Sequence, residues 1–193
     1  MIDKALEALA NGIEAYLVRL PDLNIGSQET VRLTNIVKPD GNIDIPADTL
    51  GLSLVNIEEE RITKDQQAYK AMADGSRVAH VNPELKLNLY ILVVANFNTY
   101  ETGLKFLSGT IRFFQSKYVF TAENTPDLDP SIQKLIVDLF PLNFEQQNHL
   151  WGALGAKYLP SVMYKIRLLT IQEAQAADDQ APVSGLKLTG TNM

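Results

Sequence analysis

Between Leu85 and Phe97 the hydrophobic pattern changes character inside one segment. Leu85, Leu87 and Leu89 alternate with polar Lys86 and Asn88, the period-two signature of a strand with one buried face. From Leu89 to Ala95 every residue is apolar, as in a strand covered on both faces. Such a strand needs a layer above and a layer below. This predicts an α/β (α+β) fold, a mixed β-sheet flanked by about four helices. With 193 residues, 46% of them hydrophobic, the chain is long enough for one core. The apolar run is far shorter than the roughly 20 residues of a bilayer-spanning helix.

The remaining elements are read from period and punctuation. Ile2, Leu6, Leu9, Ile13, Tyr16, Leu17 and Leu20 recur at helical steps, and Pro21 ends that helix. Thr30 to Val37 reads as a strand, and Lys38-Pro39-Asp40-Gly41-Asn42 as a turn that folds it into a hairpin with Leu52 to Ile62. In the latter, Leu52, Leu54 and Asn56 fall on one face and Ser53, Val55 and Ile57 on the other. Thr63 to Pro83 has the composition of an exposed connection. Thr99 caps a helix over Tyr100 to Gln115 with Leu104, Leu107, Ile111 and Phe114 facing inward, and Tyr118 to Thr121 is a short strand. Asp129-Pro130 opens a third helix with Ile132, Leu135, Ile136 and Leu139 inward. Asn143 to Gln146 has the spacing of a capping box for a fourth helix, with Phe144, Leu150, Trp151 and Leu154 apolar and Gly155 at its end. Ser161 to Ile171 alternates Val162, Tyr164, Ile166 and Leu168 against Met163, Lys165, Arg167 and Leu169, a last strand. These elements make one domain over 1–172, and the polar residues 173–193 read as a flexible tail. The start, Met1-Ile2-Asp3-Lys4, lacks the pattern of a secretory signal, so the expectation is cytosolic residence.

The chemistry-bearing residues are sparse. A net charge of −6 argues against nucleic acid as a partner, because phosphate neutralisation needs a basic surface. There is no cysteine, and the two histidines, His80 and His149, have no evident partner. Phosphate loops, dinucleotide fingerprints and nucleophile elbows are missing. Ser131 and Lys134 match a Ser-x-x-Lys pair at the start of the expected third helix, without the companion elements of the enzymes that use it. Glu58-Glu59-Glu60 sits at a strand end, where alternation sends Glu59 away from Glu58 and Glu60 and defeats a three-carboxylate cage. No catalytic, cofactor-binding or metal-ligating residue is assigned. Six residues are candidates for contact with other subunits. Glu58 and Glu60 offer an acidic rim, Lys165 and Arg167 a basic counterpart, and Phe106 and Phe113 a second apolar helix face off the main stripe.

Four blocks together carry a resemblance. They are Ser53-Leu-Val-Asn-Ile-Glu-Glu-Glu-Arg61, Leu87-Asn-Leu-Tyr-Ile-Leu-Val-Val-Ala-Asn-Phe97, Tyr100-Glu-Thr-Gly-Leu-Lys-Phe-Leu-Ser-Gly109 with Phe113-Phe-Gln115, and Leu150-Trp-Gly-Ala-Leu-Gly-Ala-Lys-Tyr-Leu-Pro-Ser161. From Met1 to about Ile171 the chain resembles the N-terminal domain of the cap, or tail terminator, proteins of extracellular contractile injection systems of the antifeeding-prophage type. The resemblance implies a tail-terminator-like fold and a structural protein without enzymatic activity or cofactor. It implies a hexameric ring at the end of the particle distal to the baseplate, in contact with the inner tube protein and the sheath protein, where it stops polymerisation and couples the two. It also implies assembly in the bacterial cytoplasm and then residence in the particle, released or cell-attached, with no insertion into a membrane. Longer relatives carry a further C-terminal domain, and here a short polar tail stands in its place. The alternatives are a baseplate adaptor of the same particle and, remotely, a hydrolase built on Ser131 and Lys134.

Overall fold

In the computed structural model, which describes residues 1–23, 29–60, 69–71, 78–80 and 86–170, the segment from Lys86 to Asn96 is the third strand of a six-stranded sheet. The elements in chain order are α1 (Ile2–Leu17), a single 3-10 turn (Pro21–Leu23), β1 (Val31–Leu33), β2 (Thr49–Glu59), β3 (Tyr69–Ala71), β4 (Val78–His80), β5 (Lys86–Asn96), α2 (Tyr100–Ser116), β6 (Val119–Phe120), β7 (Ile132–Leu139), α3 (Phe144–Leu154) and β8 (Ser161–Thr170). The strand order is β1-β2-β5-β8-β7-β6, antiparallel throughout except for the parallel pair β1 and β2. β3 and β4 pair antiparallel as a separate two-stranded sheet, inside the stretch read as an exposed connection.

β5 is covered on both faces from Asn88 to Ala95. On the inner face, Leu89, Ile91 and Val93 pack with Leu50, Leu52, Ile166 and Leu168 under Leu6, Leu9, Ile13 and Leu17 of α1 and the buried side of α2. On the outer face, Tyr90, Leu92 and Val94 pack with Met163, Trp151 of α3, and Ile36 and Ile45 of the β1–β2 connection. Each fully buried aliphatic side chain contributes about 1.5–3 kcal/mol. At Asn88 the outer position is polar yet still buried, at 4% exposure.

Several expectations are corrected. The third helix is absent, and Ile132–Leu139 is strand β7, hydrogen-bonded between β8 and β6, so there are three α-helices among the described residues. Its spacing of Ile132, Leu135, Ile136 and Leu139 suits a helix, but a register irregularity between Ile132 and Lys134 lets a strand bury Ile132, Leu135 and Val137. β1 does not form a hairpin with β2. Residues 34–48 cross the outer face, burying Ile36 and Ile45, and re-enter the sheet parallel to β1. The Lys38–Asn42 turn does form, with Gly41 at φ 84°, but closes only the small bridge between Val37 and Ile43. Gly51 is needed under this crossing, because a Cβ there would lie 2.6 Å from Cγ1 of Ile45. α3 forms as read: the Asn143 side chain accepts from the Gln146 amide at 2.8 Å, the Gln146 side chain accepts from the Asn143 amide at 3.0 Å, and Gly155 ends it at φ 67°. The expected tail, 173–193, lies outside the described residues.

Candidate assembly surfaces

A bulge positions the acidic candidates. Leu54 stands opposite Ile91 and Asn56 opposite Tyr90, so Val55 is an extra residue and the alternation of β2 reverses beyond it. Asn56 therefore leaves the face of Leu54, and Glu58, opposite Asn88, comes to the outer face. Lys165 lies opposite Tyr90 and Arg167 opposite Asn88, so these basic candidates share that face. The sequence reading set the acidic and basic residues as two halves of a contact between copies. The structure places all four side by side on one surface of one chain.

Within that surface most charges already have partners. The Tyr90 hydroxyl donates to Glu58 at 2.8 Å, and the Asn56 amide donates to the other oxygen of the same carboxylate at 3.2 Å. Burial, and then the Glu58 carboxylate, push the Tyr90 hydroxyl above its ordinary pKa, which keeps it a donor. Asn88 Nδ2 donates to Glu60 at 3.0 Å. Arg167 donates to Asp138 on β7 through Nη2 at 2.9 Å and Nε at 3.2 Å, and the Lys165 ammonium lies 5.9 Å from the centre of the Tyr90 ring. The Arg167–Asp138 pair is half exposed, so it contributes about 0–1 kcal/mol and leaves the surface free to exchange partners.

Phe106 and Phe113 are not on an exposed face. They are 3% and 6% exposed, and Phe113 lies 5.6 Å from the Tyr16 ring with its edge 3.0 Å from where a Cβ of Gly12 would be. α1 and α2 cross closely here, with Gly109 against Leu17 as the second contact point. The buried stripe of α2 is Gly103, Phe106, Leu107, Gly109, Thr110, Phe113 and Phe114. Because Gly103 and Thr110 carry no hydrophobic signal, the sequence reading moved the stripe round to Leu104 and Ile111, which are exposed. Sequence reasoning also missed Phe144, 90% exposed at the first turn of α3, and Leu139, half exposed at the end of β7. Ser131 and Lys134 lose their helical context, Ser131 lying just before β7 with its hydroxyl on Asp129 at 2.6 Å and Lys134 within the strand.

The architecture is an α+β domain, a six-stranded mixed sheet with helices on both faces. Its fold is similar to the sheath/tube terminator of an extracellular contractile injection system, PVC, in the extended state (TM-score 0.65, 11% identity, 100% of this chain and 64% of that one). It is also similar to the tube-terminating cap of the anti-feeding prophage, AFP (TM-score 0.62, 13% identity, 98% of this chain and 61% of that one). The chain thus spans less than two thirds of the length of either. It belongs to the Pvc16 N-terminal domain family, which it matches over residues 4–185. No curated protein sequence matches it.

Proposed function

We propose that this chain is the structural cap of a contractile injection particle. It forms a hexameric ring at the end away from the baseplate, binds the last ring of the inner tube and of the sheath, ends both polymers and couples them. The chain does this without catalysis, and it assembles with the particle in the bacterial cytoplasm. The observation that carries the reading is the fold likeness to a sheath/tube terminator over the whole chain, supported by membership in the Pvc16 N-terminal domain family. No helix among the described residues is long and apolar enough to cross a membrane.

Electron microscopy of particles from producing cells lacking only this protein tests the role. Tubes of uncontrolled length, sheaths detached at the distal end or particles contracted without a trigger are expected. Particles of normal length with an intact distal end would sink the cap role and move the search to the baseplate.

The outer face bearing Glu58, Glu60, Lys165 and Arg167 is assigned to contact with the tube or sheath protein, since its Arg167–Asp138 ion pair is exposed and exchangeable. Charge reversal of Lys165 and Arg167 to Glu should leave folding stability within about 1 kcal/mol of the parent. It should lower the fraction of particles that keep their cap in salt washes. Unchanged cap retention would remove this face from the interface.

A further inference from the structure

We draw no further inference here: the strongest candidate, the groove of about 460 Å³ between α1 and residues 124–127 that Arg19 and Lys117 line, carries nothing, because Lys117 already donates to the Asn124 carbonyl and the Thr125 hydroxyl and nothing in the structure shows what covers it.

Discussion

Phe113→Ala is expected to lose about 3–5 kcal/mol of folding stability, the range for removing a large buried aromatic side chain. The ring meets Tyr16, Phe114 and Phe120 at centroid separations of 5.6, 5.0 and 6.0 Å and closes over Gly12. Its removal leaves a void that the α1–α2 crossing cannot collapse, because Gly109 already brings the helices together at Leu17. A domain of this kind has about 5–15 kcal/mol in total, so the variant stands close to unfolding. Urea denaturation followed by circular dichroism measures the loss. Ile111→Ala, on the exposed side of the same helix, is the control and should change stability by no more than about 1 kcal/mol. Were Phe113 a subunit contact, stability would hold and assembly alone would suffer.

Trp151→Ala should have a comparable effect on the other face of the sheet, again about 3–5 kcal/mol. Trp151 is the only α3 side chain that is fully buried, and it joins α3 to Tyr90, Leu92, Val94 and Met163. Without it, α3 is held mainly by partly buried Leu150 and Leu154, and limited proteolysis should cut there while the inner face stays protected. Trp151→Phe should cost much less. The indole N–H has no partner among the described residues, and its deletion removes a penalty of about 1–3 kcal/mol that offsets part of the lost packing. Equal losses for the two substitutions would mean that the indole nitrogen is satisfied in solution. Because Trp151 is the only tryptophan, both variants are followed by circular dichroism rather than fluorescence.

Of the candidate surfaces, the charged face was half legible. Lys165 and Arg167 were placed correctly on the less apolar side of the last strand, since strict alternation governs β8. Glu58 and Glu60 were paired with each other correctly, but their meeting with Tyr90 and Asn88 depends on the bulge at Val55. Nothing local marks that bulge. It is a one-residue shift of register between β2 and β5, visible only once the two strands are paired. The exposure of Phe144 and Leu139 was not legible at all. An apolar residue near a helix start or at a strand end reads as core until the partner element is known to pass elsewhere.

The sequence by itself determined α1, the central strand β5 with its stretch covered on both faces, the last strand β8, and the capped start and glycine end of α3. Each depends on hydrophobic period or on hydrogen bonds between residues a few positions apart, which the chain carries wherever it goes. Only the tertiary structure decided that Ile132 to Leu139 is a strand, that β1 runs parallel to β2, and that α2 buries Phe106 and Phe113 instead of Leu104 and Ile111. The reason is common to all three. Apolar spacing in these segments satisfies more than one local geometry, and the selection came from distant partners: β8 and β6 supplying ladders to β7, the 34–48 crossing packing over Gly51, and α1 meeting α2 where Gly12 and Gly109 permit close approach.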